Sequence, residues 1–367
     1  MSHQNRSTRE QPSRRPTVKD VAKHAGVSTA TVSRVLNGTT AVDGLLADRV
    51  RGACVALQYR PNSAARALSR GQSATIALLV TEFRNPFFMD IVHGVEDVTQ
   101  KHNYLLVLCN SKEDQGREHQ YIEMMCAEQV AGAIVVPTTD RKRILTPLVD
   151  SGIPVVCVDR RVRDRAIDSV LIDNTGAACE AVAHLIGNGY RRIGIVTGPD
   201  RTTTARERLE GYHSALHDAG IAPDPELERR GPFTEERGRQ LTSDLLELTP
   251  AVDALLIGNN RLMKGALDAI HTHGLRIPDD VAVVGFDELP WTTPGSLSLT
   301  MVMQPAYELG STAALRLIQR LEHPEQLARQ EIVLAYRLQL GDSSRPRRDE
   351  NLNPHDPHAQ LHRALAM

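Results

Sequence analysis

Within residues 17–37, TVKDVAKHAGVSTATVSRVLN, four side chains share one predicted helical face: Thr29, Ala30, Ser33 and Arg34. They stand opposite an apolar stripe of Val32, Val35 and Leu36. Thr29 and Ala30 present methyl groups that fit a thymine methyl, and Thr29 adds a hydroxyl. Arg34 presents two parallel donors that fit a guanine edge, a contact worth ~1–3 kcal/mol of discrimination. Thr17, Ser28, Thr31, Ser33, Asn37 and Tyr59 carry the hydroxyl, amide and phenol groups that bond phosphate oxygens, which fix register without reading sequence. The chemistry these types and spacings offer is base reading on duplex DNA.

Local sequence builds the scaffold for that face. Thr17 followed by Asp20 has the form of a capping box, so a helix starts there. Val18, Val21, Ala22 and Ala25 then fall on one side of it. Gly26 supplies a left-handed residue where the helix stops, and Ser28 can cap the next. Two helices in this arrangement make a helix-turn-helix whose second member can enter a major groove; the alternative from geometry alone is an ordinary helical hairpin with a solvated face. Asp43 can cap a third helix that buries Val50, Ala53, Cys54 and Leu57. Gly52 costs that helix roughly 1 kcal/mol relative to alanine, and Pro61 imposes an extended break. Residues 62–70, NSAARALSR, favour a helix of two turns, too short to be stable alone in water.

Charge follows the same division. The 367 residues carry 43 Lys and Arg against 45 Asp and Glu, yet residues 1–70 hold 12 basic and 4 acidic side chains. A basic head on an acidic body is expected when only the head meets a polyanion. Residues 1–16 read as a disordered basic arm.

From residue 74 the pattern changes to alternating apolar runs and amphipathic helices. TIALLV, YLLVLC, GAIVV and PVVCVD read as strands of a first series; RIGIVTG, ALLIG and VAVVGF form a second. Helices are expected over 87–101, 116–128, 141–150, 175–186, 205–219, 235–247, 262–271 and 306–320, and EIVLAYRL as one final strand. Such repetition demands parallel sheets covered on both faces. Two series imply two lobes, with ligands bound at the carboxyl ends of the strands. Asn85, Phe87 and Phe88 follow the first strand, and Asp159 and Arg160 the fourth. Thr202, Thr204 and Arg208 follow VTG; Phe233, Asn259 and Asp287 follow later elements. Aromatic faces beside carboxylate, amide and guanidinium groups suit a sugar or another small polar ring.

DVAKHAGVSTATVSRVLNG closely resembles the N-terminal signature of the LacI/GalR family of bacterial transcriptional regulators, and the downstream chain matches it too. The resemblance implies an N-terminal all-α helix-turn-helix domain and an α/β two-lobed, periplasmic-binding-protein-like domain of two doubly wound parallel sheets. It implies that 62–71 is a hinge helix ordering on the operator, with Asn62, Ala65 and Leu68 matching the pattern and Leu68 wedging into the minor groove. It aligns Arg208 with the family's effector-clamping arginine, Asn259 with its asparagine and Asp287 with its cleft aspartate. Phe233 falls at the stacking aromatic, and Asp159 and Arg160 on the strand-end loop. The chain departs from the pattern at Gln58, usually glycine, at Ala47, where a threonine is common, and at Asn260, usually aspartate. Arg160 hints at a carboxylate or phosphate on the effector.

The expected organisation is therefore an arm at 1–16, a DNA-binding domain at 17–61, a hinge at 62–71, an effector-binding and dimerisation domain at 72–342, and a disordered tail at 343–367. Lobe crossovers are expected near 173, 299–304 and 330. The expected protein is a cytoplasmic homodimeric repressor of a pseudopalindromic operator, controlled by a sugar-like effector in the cleft. No cofactor, metal or membrane enters this reading. Five scattered cysteines lack metal-ligand spacing; no apolar run reaches a membrane-spanning length; no glycine-rich phosphate loop follows a strand. His355, His358 and His362 fall in the tail, which lacks the leucine heptads of a coiled coil. The rival readings are a solute-binding protein, exported or cytosolic, which has no use for residues 17–70, and an enzyme on the same scaffold.

Overall fold

The computed structural model describes residues 16–37, 42–59, 73–163, 167–287, 297–323 and 328–346. The hinge positions Asn62, Ala65 and Leu68, the arm before Pro16 and residues 347–367 lie outside the described residues. The chain divides into two compact units, Met1–Ser73 and Ala74–Met367.

The first unit holds three helices, α1 (Val18–Ala25), α2 (Thr29–Asn37) and α3 (Gly44–Ala56). Val21, Ala22 and Ala25 of α1 meet Val32 of α2 and Val50 and Ala53 of α3 in a small core. Val35 and Leu36 are only half-buried against it, so Val32 carries the burial of α2. The Asp20 carboxylate accepts the Thr17 amide and hydroxyl, each at 2.7 Å, at the start of α1. Gly26 ends that helix at φ +64°, where a side chain is disfavoured. Asp43 accepts the amides of Leu45 and Leu46 and so starts α3. Gln58, where the family pattern has glycine, stands at φ 50° just past the end of α3. That left-handed turn is why glycine suits the position.

The second unit contains two six-stranded sheets, with strand orders β11-β5-β4-β3-β1-β2 and β12-β10-β9-β8-β6-β7. The first is built from β1 (Thr75–Val80), β2 (Leu105–Asn110), β3 (Gly132–Val135), β4 (Val155–Val158), β5 (Asp168–Ile172) and β11 (Glu331–Leu334). The second is built from β6 (Ile193–Thr197), β7 (Glu228–Arg230), β8 (Ala254–Ile257), β9 (Ala282–Phe286), β10 (Thr300–Met303) and β12 (Arg337–Gln339). Every neighbouring pair runs parallel except β10 with β12. The central strands are fully buried, as parallel strands covered on both faces must be. The covering helices are α4 (Pro86–Lys101), α5 (Gln115–Ala127), α6 (Thr146–Asp150), α7 (Asn174–Gly187), α8 (Thr203–Asp218), α9 (Glu235–Leu246), α10 (Asn260–Thr272) and α11 (Ala306–Glu322).

Several expectations need correction. EIVLAYRL is two strands in different sheets, and the chain changes lobe at Ala335 and Tyr336, not near 330. Its half-buried alternation runs through the crossing without a turn residue, so the pattern reads as one strand. The stretch 299–304 contains a strand, β10, and the second crossover follows it at Gln304 and Pro305; the first falls at Asp173. The helix expected over 141–150 is a 3-10 turn, Lys142–Ile144, followed by the short α6, which restarts around Pro147. The tail does not begin at 343. The Ser343 hydroxyl donates to the Val283 carbonyl at 2.6 Å and accepts the Thr300 amide at 2.8 Å. Ser344 bonds Thr300 and His184, and the Arg345 carbonyl accepts the Tyr190 hydroxyl. These bonds satisfy buried groups of the second lobe, so residues 343–345 belong to it.

Candidate functional site

On α2, Thr29, Ala30 and Arg34 are exposed, and Arg34 makes no hydrogen bond or ion pair among the described residues. Ser28 is exposed; its hydroxyl accepts the Thr31 amide at 3.1 Å and meets the Thr31 hydroxyl at 2.9 Å. Thr17, Thr31, Ser33 and Tyr59 are half-buried. Asn37 ends α2, and its side chain lies outside the described ones. Of the cations counted toward a polyanion, Arg49 is occupied: its guanidinium donates to the Ala25 carbonyl at 2.6 Å and closes the end of α1. Arg51 pairs with Asp48 at 3.0 Å on the surface.

In the second unit, a pocket between the lobes is lined by Asn85, Phe87, Phe88, Asp159, Arg160, Thr204, Arg208, Phe233, Asn259 and Asp287. All ten were expected from sequence. Thr202, also expected, is not among the lining residues: it precedes α8, with its hydroxyl on the Pro199 carbonyl at 2.9 Å. Four lining residues were not foreseen: Glu82, Glu113, Arg261 and Gln304.

The two aspartates are placed by the same device in each lobe. Asp159 follows β4 at φ 66°, its amide bonded to Val170 of β5 at 3.0 Å. Asp287 follows β9 at φ 71°, its amide bonded to Val302 of β10 at 3.0 Å. In both, the strand end turns left-handed, a conformation uncommon outside glycine that marks a side chain being re-aimed. Burial raises the Asp159 carboxyl to about 6, against the pull of Arg160 and Arg208. Burial also raises Asp287, against Arg208 and a hydrogen bond from Gln304.

Arg208 stands on α8, with its guanidinium 3.9 Å from the Phe286 ring centre. Its Nε donates to Asn174 at 2.9 Å and its Nη1 to the Gly258 carbonyl. Burial lowers its pKa, opposed by the charges of Asp287 and Asp159. Arg160 is engaged differently. Both terminal nitrogens bond the Glu113 carboxylate, at 2.7 and 2.9 Å, and the guanidinium lies 5.4 Å from the Phe233 ring centre. Phe233 packs directly on Gly198, where any Cβ would collide with the ring. Asn259 caps α10 by accepting the Leu262 amide at 2.8 Å. Phe87 and Phe88 meet edge to face, 5.2 Å between centres.

Bonds from one lobe to the other hold this pocket shut. Asn260 donates to Asn85 at 2.7 Å, and Arg261 pairs with Glu82 at 2.9 Å. Arg206 pairs with Asp140 at 2.8 Å, and Arg161 with Glu207 at 2.6 Å. The space there for small molecules is about 30 Å³, well below the roughly 300 Å³ or more of pockets that hold ring-sized ligands. A sugar ring therefore requires the lobes to part or these bonds to rearrange. The orphaned Gln304 Oε1 of the pocket lining, buried without a partner among the described residues, is an acceptor that a hydroxyl-bearing guest could satisfy.

Among the described residues, no helix is long and apolar enough to cross a membrane, and no group of three or more His, Cys, Asp or Glu could hold a metal.

Comparison with known proteins assigns both units to one family. Residues 17–62 match the family model described as bacterial regulatory proteins, lacI family, and residues 73–337 match that of periplasmic binding proteins and the sugar binding domain of the LacI family. The chain is 32% identical over 328 residues to the HTH-type transcriptional repressor PurR of Aliivibrio salmonicida, covering 86% of this chain and 98% of that one. It is 35% identical over 306 residues to the ribose operon repressor of Halalkalibacterium halodurans, covering 83% and 90%. Among solved structures, the lac repressor dimer bound to operator and the anti-inducer ONPF matches with a TM-score of 0.80 and 26% identity, over 90% of this chain and all of that one. With both family models matched in order, over a three-helix unit and a two-lobed unit, the chain belongs to the LacI family of bacterial regulatory proteins.

Proposed function

We propose that this protein is a cytoplasmic repressor that binds a pseudopalindromic operator as a homodimer and is controlled by a small polar effector, a sugar or sugar derivative, between its lobes. The observation that carries this reading is the contrast in exposure on α2: Thr29, Ala30 and Arg34 are exposed while Val32 is buried. Those three side chains read bases; Thr17, Ser28, Thr31, Ser33, Asn37 and Tyr59 hold phosphates. Asn62, Ala65 and Leu68 form the hinge, with Leu68 inserted in the minor groove. The pocket residues Asn85, Phe87, Phe88, Asp159, Arg160, Thr204, Arg208, Phe233, Asn259 and Asp287 hold the effector. Thr202 supports them from the start of α8.

Two-fold pairing is supported by the edge strand β2, whose Leu105, Val107 and Leu108 are exposed, as is Met124 of α5. An open apolar edge of this kind marks an association surface. The protein acts by binding and has no catalytic role. An effector that breaks or replaces the bonds between lobes shifts their arrangement and with it the ordering of residues 62–71. A coupling of ~1–3 kcal/mol changes operator affinity ~5–150-fold.

The test is selection of the full-length protein against a random DNA pool, followed by titration on the enriched sequence with a panel of sugars, sugar acids and nucleosides. Recovery of an inverted repeat whose affinity changes with one of these compounds is the expected result. Salt-sensitive binding without sequence preference under every condition would overturn it. On the recovered operator, Leu68→Ala is expected to reduce the bend angle measured by circular permutation.

A further inference from the structure

Glu113 is one of the four pocket residues with no counterpart in the sequence reading, and the backbone is bent to deliver it. Between β2 and α5, Lys112 and Glu113 stand consecutively at φ 52° and 57°. Neither is glycine, and such conformations persist in other residues only where their surroundings enforce them. The enforcement is visible: Asn110 accepts the Lys112 amide at 3.1 Å, the Ser111 amide donates to Val80, and Asp114 caps α5 through the Arg117 amide. The result is a two-pronged ion pair with Arg160, whose Nη1 also reaches the Pro137 carbonyl at 3.3 Å. Both terminal nitrogens of Arg160 are thereby held on Glu113, while its Nε lies 3.4 Å from Asp159 without a hydrogen bond.

That commitment decides the charge of the pocket. Its lining holds four carboxylates, Glu82, Glu113, Asp159 and Asp287, and three guanidinium groups, Arg160, Arg208 and Arg261. Glu82 is matched by Arg261 and Glu113 by Arg160. Asp159 has Arg160 Nε at 3.4 Å and shares Arg208 with Asp287, while Arg208 also serves Asn174 and Gly258. Glu118, fully buried on Thr138, adds a further acidic group nearby. An anionic guest would lose its hydration to face an excess of carboxylate, an unfavourable exchange in a buried site.

We propose that Glu113 sets the charge class of the effector: by occupying Arg160 it makes the pocket reject phosphorylated and carboxylated ligands and admit uncharged, hydroxyl-rich ones. This rests on reading the pocket as the effector site. It turns Arg160, which from sequence alone hints at an anionic effector, into part of a filter against one.

The experiment uses the full-length protein, with inorganic phosphate and the matched probes D-ribose and D-ribose 5-phosphate, read by calorimetry and thermal shift. Wild type is expected to show no saturable binding of phosphate or of the phosphorylated sugar. Glu113→Gln, which keeps the shape and removes the charge, is expected to gain saturable phosphate binding, tighter by at least about tenfold. Adding Arg160→Gln to that variant should abolish the gain. Saturable binding of ribose 5-phosphate by wild type, lost on Arg160→Gln, would overturn the proposal. So would a Glu113→Gln protein that melts and binds DNA as wild type does yet gains no phosphate affinity. If that variant does not fold, Glu113→Ala repeats the arm, and the wild-type comparison of the two sugars stands by itself. Operator affinity is followed in parallel. Phosphate that binds Glu113→Gln without altering operator affinity would refute control through this pocket while leaving the charge filter intact.

Discussion

The face of α2 and the pocket between the lobes present their candidate functional side chains in opposite states. Thr29, Ala30 and Arg34 are exposed, and Arg34 makes no bond among the described residues. In the pocket, Asn85 holds Asn260, Arg160 holds Glu113, Gln304 holds Asp287, and Arg208 is bonded to Asn174 and Gly258. A surface that must scan many sequences keeps its donors hydrated and free, because each wrong contact has to be released cheaply. A buried site cannot leave polar groups unpaired without a penalty. Its residues therefore bond one another until a ligand takes their place, and selectivity lies in which of those internal bonds a ligand can replace.

The largest test of that contrast is Arg208→Ala. Truncating one partner of a buried, hydrogen-bonded charge pair costs ~2–5 kcal/mol of binding, so effector affinity should fall by about thirtyfold or more. Operator affinity without effector should hardly move, and titration with and without ligand separates the two. A ligand response that survives would show that the pocket is not the sensor. On the other side of the comparison, Arg34→Ala should weaken the selected operator ~5–150-fold, the loss of a bidentate base contact. A scrambled duplex should lose much less. Equal losses on both would mean that Arg34 holds phosphate and reads nothing.

The same contrast explains what could be read from the sequence. Periodicity exposes α2 because its two faces differ in polarity, so base-reading candidates follow from the chain alone. Continuous apolar runs likewise reveal β1, β3, β4, β6, β8 and β9. The strand β5 stays hidden because it begins with Asp168 and Ser169. Asp168 is nonetheless buried, accepting Arg320 Nε at 2.7 Å, Arg316 at 3.2 Å and the Gln330 amide at 2.7 Å. Nothing local foretells partners about 150 residues away. The strand β7 is Glu-Arg-Arg on a sheet edge, charged throughout. Pocket residues that directly follow apolar strands were legible for the same reason as the strands themselves. Glu113 was not, because a left-handed pair without glycine leaves no mark in the sequence. Gln304 and Arg261 reach the pocket from a crossover and from the second residue of a helix, positions whose neighbours only the fold supplies.

The acidity of Asp159 sharpens the pocket's side of the comparison. Its carboxyl is raised from 3.8 to about 6 by burial, against Arg160 and Arg208 and with the help of Asp287 and Glu113. Between those two values the folded, ligand-free protein keeps a proton that the unfolded chain has lost. Ionising Asp159 therefore subtracts stability as pH rises from about 4 to about 6, and the loss levels off above. A hydroxyl-bearing effector that donates to the ionised carboxylate reverses that penalty and releases the proton. Its affinity should climb with pH up to about 6, by at most about tenfold per unit, and then flatten. Glu118 is also raised to about 6 by burial, so the control is Asp159→Asn, in which the slope attributable to Asp159 should vanish. Calorimetry in buffers of different ionisation heat counts the released proton directly. The helix α2 contains no Asp, Glu or His, so operator affinity measured without effector should not follow the same curve.

The smallest effect belongs to the head and checks whether its stability can be changed without touching either function. Gly52 lies exposed in the middle of α3, and a Cβ there would meet nothing within 4 Å. Gly52→Ala removes the backbone freedom that glycine loses on folding and should stabilise the head by about 1 kcal/mol. Hydrogen exchange of the buried amides around Val21, Val32 and Val50 should slow roughly fivefold if they exchange through opening of this unit. Exchange around Asp159 and Asp287 should stay as it is, because the two units have separate cores. Slowing that spread into the second unit would mean that the two open as one, and the exposed reader and the self-bonded pocket would then share a single stability.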